Sequence, residues 1–359
     1  SSSDIEAKKG GRNMARTEQV RLSRQGRYRI WLAVIFTCFA FPLPAAAQLG
    51  GKPEKNNFTI SYTQASGAFT PLWVAQEAGI FKKHGLDVTL KLLNSQVAAQ
   101  ALIAGELDAI SVGPEFVNAR LQGVPVKYIG GTLQRFIFQL WGGKDIHTVA
   151  DLKGKTVAVT TPRTSTEIAT REALKKIGTI SDKDVSFVYV QTIPAILGAV
   201  LGGKTSAGTL SAPNTLKARD AGLNLLVDIA QVNVPGLHLA YGTTERVIKT
   251  NPNSLYAFLK AVAEGTVVSK QNPSVAKKAI GKFTDSDDSK IIEGTYEQFA
   301  PYWDANLAVH GEPIQGHLMY LDEKEFPRAK DARQAEFVDN SFADSLKSSG
   351  FLQSLALTK

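Results

Sequence analysis

Residues 68–88 read AFTPLWVAQEAGIFKKHGLDV, and the way this stretch is punctuated sets the fold class. Pro71 stands where the first turn of a helix tolerates proline. The apolar positions Leu72, Ala75 and Ala78 fall on one side of a helix predicted over Pro71–His84. Gly85 stops it, because glycine enters the left-handed backbone region of a helix end without steric cost. On both sides the period changes. Upstream, residues 58–63 (FTISYT) alternate in strand fashion, and downstream residues 87–93 (DVTLKLL) do the same. Strand, helix and strand at this spacing make a βαβ unit with parallel strands.

The alternation continues outward. Ser95 is the expected cap of a helix reaching Ala104, with Val97, Ala98, Ala101 and Leu102 on one face and Gly105 at its end. Residues 109–112 form a short buried strand stopped by Gly113-Pro114, and residues 126–130 form the next. The pattern then restarts. A strand over 156–160 precedes Thr164 and Glu167, three apart as in a capping box, which open a helix to Ile177. Strands over 185–190, 206–210 and 223–229 alternate with helices over 193–201 and 213–221. Past Gly242 the chain turns mainly helical, over 254–270, 273–282, 289–302 and 340–348. There is an internal echo. Residues 105–114 and 203–213 each run from a glycine turn through a short strand to a proline, which implies two similar α/β lobes.

Composition narrows the function. The 359 residues carry a formal charge of +8, but residues 1–47 hold eight basic and three acidic side chains, leaving 33 basic against 30 acidic for the rest. A nearly balanced body lacks the basic stripe of a nucleic-acid binder. The single cysteine, Cys38, lies in the first 47 residues, so the body has no disulfide, thiolate nucleophile or cysteine-ligated zinc. Those first residues read as an export signal. Arg21, Arg24, Arg27 and Arg29 precede an uncharged run over 30–41, followed by Pro42, Pro44 and the small residues Ala45-Ala46-Ala47. The apolar run is short of the roughly 20 residues that span a bilayer. Met14 is the expected start, cleavage is expected near Ala47, and the mature chain is expected to be soluble and periplasmic.

No catalytic constellation emerges. His84, His147, His238, His310 and His317 show no paired metal-ligand spacing and read as surface or packed residues; there is no nucleophile elbow and no phosphate-cradling loop. What remains are polar and aromatic residues at predicted strand tips, where open α/β sheets bind ligands. These are Ser66 and Phe69, then Gly113 and Glu115, then Thr160, Thr161, Arg163, Thr164 and Ser165, and finally Ser211 and Asn214. Thr160–Ser165 brings hydroxyls and a guanidinium to a helix start, which favours an anion; plain capping by Thr164 and Glu167 explains the same residues. Glu115 either stabilises its own helix N-terminus or holds a ligand amine. Phe69 and Phe116 stack on a ligand or fill the core between lobes.

Residues 68–88 also resemble the opening of the solute-binding proteins of ABC importers for nitrate, sulfonate, taurine and thiamine precursors. Residues 104–109 (AGELDA) with Gly113-Pro114, residues 152–159 (LKGKTVAV), Asn251-Pro252 and residues 337–341 (FVDNS) fit the same family in order, so the resemblance covers nearly all of 57–352. It implies a periplasmic-binding-protein fold: two α/β lobes, 55–142 plus 242–359 and 143–241, joined by two crossovers at Gly142-Gly143 and Gly236–Gly242, with the ligand between them. The tip residues above are its implied ligand contacts. Ser206 stands where the family has Asp, and the absence of cysteine in the body sets the chain apart from the cysteine-bearing fungal enzymes of the family. The resemblance implies no enzyme and no cofactor. It implies a monomeric receptor that delivers a small solute to an inner-membrane permease with its ATPase subunit. The expected solute is anionic, a sulfonate, nitrate or carboxylate, with Arg163 as the positive charge and Thr161, Ser165 and Ser66 as neutral donors. The alternative is a pyrimidine or other neutral or cationic heterocycle held by Glu115 and aromatic stacking.

Overall fold

A computed structural model describes residues 49–357, so the expected export signal and its cleavage point lie outside the described residues. Ten strands form two five-stranded sheets. The first contains β1 (Asn57–Tyr62), β2 (Asp87–Leu92), β3 (Ala109–Val112), β4 (Val126–Arg135) and β10 (Pro235–Thr244), in the order β2-β1-β3-β10-β4. The second contains β5 (Gln139–Gly142), β6 (Thr156–Val159), β7 (Ser186–Tyr189), β8 (Ala207–Leu210) and β9 (Asn224–Asp228), in the order β7-β6-β8-β5-β9. The two plans are the same. In each, three parallel strands are followed by one antiparallel strand, which also pairs antiparallel with the fifth. The sequence echo therefore marks equivalent strands, β3 and β8.

Helices connect the parallel strands. In the first lobe these are α1 (Thr70–Glu77), α2 (Ile80–Lys83), α3 (Ser95–Ala104) and α4 (Glu115–Leu121). In the second they are α5 (Ser165–Ile177), α6 (Ile193–Leu201) and α7 (Asn214–Asp220), and α8 (Ile229–Val232) follows β9 ahead of the return to the first sheet. The chain then adds α9 (Glu245–Thr250), α10 (Pro252–Gln271), α11 (Pro273–Thr284), α12 (Ser289–Phe299) and α13 (Gly311–Tyr320), with α10 and α11 packed on α1 and α13 on β10. The helix expected over 71–84 is two helices. Gly79 sits between them at φ 69°, a left-handed conformation that breaks the hydrogen-bond ladder. Asn94, rather than Ser95, caps α3, its Oδ1 accepting from the Val97 N–H at 3.0 Å. Val97 is exposed, so the buried face of α3 is Ala98 and Leu102.

The lobe boundaries differ from those expected. Gln139–Gly142 pairs inside the second sheet, Trp141 lying opposite Gly208 on β8 and Leu225 on β9. Pro235–Thr244 pairs inside the first sheet, with Ala240 opposite Val112. Gly142-Gly143 and Gly236–Gly242 are thus inside lobes. The chain crosses at residues 136–138 and 233–234, where Phe136 N–H donates to Val234 O at 3.4 Å and holds the crossings side by side. The reason is topological: each sheet fills its fourth position with a strand just arrived from the other lobe.

Each lobe has its own apolar core. In the first, Phe258 of α10 stacks on Phe58 at 5.0 Å and on Phe81 at 5.9 Å, with Tyr241 edge-on at 5.3 Å. Burying side chains of this size contributes about 1.5–3 kcal/mol each, which fixes α2 and α10 against the first sheet.

Candidate functional site

A cavity of about 500 Å³ opens at the carboxyl ends of the parallel strands of both sheets. The first lobe lines it with Thr63, Gln64, Ala68 and Phe69 after β1, Asn94–Gln96 and Ala99 at the start of α3, and Ser111–Gly113 and Glu115 after β3. Phe138, His238 and Leu239 line it beside the crossings. The second lobe contributes Thr160–Thr166 from the β6–α5 loop, and Gln191 and Thr192 ahead of α6. Sheets of this kind leave their strand ends and helix N-termini free for ligands, and here two such ends face one another.

The structure brings Phe69, Gly113, Glu115, Thr160, Thr161, Arg163, Thr164 and Ser165 to this cavity. Ser66, Ser211 and Asn214 are not in its lining. Ser66 Oγ and Ser211 Oγ are 3.2 Å apart, and Gly67 N–H donates to Ala212 O at 3.3 Å, so these tips join the lobes to one another. Asn214 is buried at the start of α7. His238, Ser111, Phe138 and Gln191 were missed. His238 lies inside a strand reading GLHLAY, and its one sequence signal is an imidazole on the same alternating face as Ala240 and Gly242.

The first-lobe wall holds polar atoms without partners. Ser111 Oγ, Glu115 Oε2 and His238 Nε2 are all buried and make no hydrogen bond. Burial pushes the Glu115 carboxyl up to about 7, against the pull of the backbone N–H groups of Glu115 and Gly113. Burial likewise drives His238 down to about 3, so its ring is neutral. His238 Nδ1 accepts from the Ile137 N–H at 2.9 Å, and the ring stacks on Phe138 at 4.3 Å. Gly113 leaves room at the centre. A Cβ there would overlap Ser165 Oγ and lie 2.9 Å from Glu115 Oε2.

The second-lobe wall is satisfied, partly by its own loop and partly by side chains of the first lobe. Thr160 Oγ1 pairs with Thr164 Oγ1 at 2.9 Å and with Thr166 Oγ1 at 2.8 Å, and Thr164 Oγ1 donates to Thr161 O at 2.8 Å. The expected Thr164–Glu167 capping box is therefore absent. Thr164 is the N-cap residue of α5, but its hydroxyl turns back into the loop. Buried Glu167 instead accepts from the Arg163 N–H at 2.7 Å, from Arg171 Nε at 2.8 Å and from the Tyr320 hydroxyl at 3.2 Å. Arg163 Nη1 donates to both carboxylate oxygens of Glu325 at 2.7 Å, so the guanidinium expected to meet an anion already has a counter-ion. Arg163 (φ 60°) and Gln191 (φ 68°) both hold left-handed backbone, a strained state that clusters at ligand sites.

Two matched α/β lobes, two crossings and a cavity at facing strand ends define the periplasmic-binding-protein class. The chain belongs within it to the NMT1/THI5-like family, whose sequence pattern matches residues 66–276. It is 23% identical over 325 residues to the riboflavin-binding protein RibY of Chloroflexus aurantiacus, covering 84% of this chain and 90% of that one. Among solved structures it resembles the ligand-binding component of an ABC-type import system from Staphylococcus aureus, with TM-score 0.66 and 12% identity, over 81% of this chain and 98% of that one. It also resembles the alkanesulfonate-binding protein SsuA of Xanthomonas axonopodis pv. citri, with TM-score 0.65 and 16% identity, over 80% and 99% of the two chains.

Proposed function

We propose that this protein is the substrate-binding component of an ABC importer, exported to the periplasm. It captures a small uncharged or weakly basic organic solute in the cleft as a monomer and delivers it to an inner-membrane permease with its ATPase subunit. The relative and the solved structure named as binding proteins support the receptor role, and the likeness to a component of an ABC-type import system supports the delivery role. The lobes close around ligand by bending at residues 136–138 and 233–234, the two places where the chain passes between sheets.

The observation that carries the solute class is the buried, unpartnered trio Ser111 Oγ, Glu115 Oε2 and His238 Nε2 on one wall of the cavity. Buried polar atoms without partners are costly, and a solute that meets them recovers that cost on binding. Arg163 and Glu115 are the charged residues among the described lining, and Arg163 is already paired. An oxyanion brings no hydrogen-bond donor to Glu115 Oε2, and the cation of the described lining is already paired. This favours the heterocycle reading over the sulfonate, nitrate or carboxylate one, and the relative named for riboflavin binding points the same way.

A thermal-shift screen of the chain from Gln48 tests it, because a ligand that binds the folded state raises the melting temperature by mass action. Riboflavin, cytosine, uracil and aminopyrimidines are compared with taurine, nitrate and benzoate. Shifts confined to the uncharged heterocycles are the expected result. Shifts confined to the anions overturn the solute class, and the absence of any shift across both groups counts against the receptor role.

A further inference from the structure

We propose that His238 is a specificity-determining residue of this cleft: its Nε2–H is a fixed donor that, together with the acceptor Glu115 Oε2 on the same wall, selects an uncharged solute offering one hydrogen-bond acceptor and one donor. This rests on the receptor reading above and deepens it.

The protonation site follows from geometry. The Ile137 backbone N–H, which can only donate, points at His238 Nδ1 at 2.9 Å, so Nδ1 carries the lone pair. In a neutral ring the proton is then on Nε2, and Nε2 is buried with no partner in the cavity wall. The ring cannot turn away easily. Phe138 stacks on one face at 4.3 Å and Phe299 meets it edge-on at 5.8 Å, while a flip would take Nδ1 from Ile137. Ile137 belongs to a crossing between lobes, so the donor is referenced to the point about which they move.

Glu115 supplies the complementary atom. It opens α4, just after the strand that pairs with β10, where Val112 lies opposite Ala240, two residues along β10 from His238. Its Oε2 is buried and unpartnered. Burial that keeps His238 neutral also keeps it from serving as a cation for an anionic solute. Nitrate and sulfonates offer acceptors only, so they satisfy His238 and bring no donor to Glu115 Oε2. An amino-substituted nitrogen heterocycle satisfies both.

The test has two parts. In a histidine-labelled sample at pH 7, a long-range proton–nitrogen NMR spectrum is expected to show the His238 proton on Nε2; a proton on Nδ1, or on both nitrogens, overturns the assignment without any ligand. Calorimetric titrations then use 4-aminopyrimidine, pyrimidine, aniline and nitrate as probes. The first is expected to bind roughly tenfold or more tighter than any of the others, since a polar site rejects analogues that leave its groups unpaired. His238→Phe keeps the stack and removes the donor, and is expected to weaken 4-aminopyrimidine by roughly tenfold or more, with His238→Gln retaining most of the affinity. Glu115→Leu, which leaves the Ile137 contact intact, is expected to lose as much. Equal binding by wild type and both His238→Phe and Glu115→Leu overturns the pair. Binding of nitrate alone overturns the pair and keeps the receptor. A wild-type protein that binds none of the four probes overturns the donor–acceptor class, and the broader screen above then decides the receptor role separately.

Discussion

The two walls of the cleft are built from similar residues and leave them in different states. On the second-lobe wall Thr160, Thr164 and Thr166 bond to one another, Glu167 gathers three donors, and Arg163 is tied to Glu325 across the lobes. On the first-lobe wall Ser111, Glu115 and His238 each end in an atom with no partner. A wall whose groups are paired, some of them across the cleft, has its hydrogen bonds made while the lobes are together, whereas a wall with open groups needs a solute to complete it. On the function proposed above, recognition falls to the first-lobe wall, and the second contributes the pairs Arg163–Glu325 and Glu167–Tyr320 across the cleft.

The sharpest way to break this contrast is to fill the seam between the walls. Gly113→Val places atoms against Ser165 Oγ and Glu115 Oε2, and the bound solute is expected to lose roughly hundredfold or more in affinity by calorimetry. Opening of the cleft relieves the overlap with Ser165 Oγ but not the contacts with Glu115 Oε2 and Leu237 O of the same lobe, so a modest fall in the ligand-free melting temperature is expected alongside. Unchanged affinity would place the solute away from this seam.

The next effect is on stability against pH. Unfolded, Glu115 ionises near 4.5; folded, it keeps its proton up to about 7. In that window the folded state holds more protons, so stability falls as pH rises from 4.5 through 7, by at most about 3 kcal/mol. Glu115→Gln removes the slope, and its melting temperature is expected to gain on wild type across that range and run parallel above it. His238 acts on the acid side. Its folded value near 3 lies below the ordinary 6.5, so its contribution is lost as pH falls from 6.5 toward 3. Parallel melting curves for Glu115→Gln and wild type at every pH would mean the carboxyl is not held in a dry wall.

The second wall should respond in stability more than in binding. Thr160→Val removes both of its hydroxyl contacts and is expected to cost about 1–2 kcal/mol in denaturant unfolding, with affinity changed less than about threefold. Smallest of all is Arg163→Ala. Its pair with Glu325 is half exposed and contributes less than about 1 kcal/mol, so affinity should stay within about threefold and be insensitive to salt. A tenfold loss that grows at low salt would return the anion to the site and Arg163 to recognition.

These residues also show what the sequence could reveal. The strand and helix order was legible because glycine, proline and capping residues punctuate it, from Pro71 and Gly85 to Gly105 and Gly178. The lobe boundaries were not: no strand was expected at 139–142 or 235–244, where glycines read as crossovers, and which sheet receives a strand depends on contacts distant in sequence. Gly113, Glu115 and the Thr160–Ser165 loop were legible as polar residues between a strand end and a helix start. Ser66 and Ser211 fit the same description, yet they meet each other, which depends on how two lobes face. His238 was hidden for the opposite reason. It sits within a strand, and its role comes from Ile137, a hundred residues earlier, at the other crossing.

The most direct test of the account is to identify the solute carried by the protein purified from its native cells and titrate that solute back at low and high salt. An uncharged nitrogen-bearing solute whose affinity is the same at both salts, and falls with His238→Phe, is the expected result. A sulfonate, nitrate or carboxylate whose affinity drops with salt, and ignores His238, would contradict it.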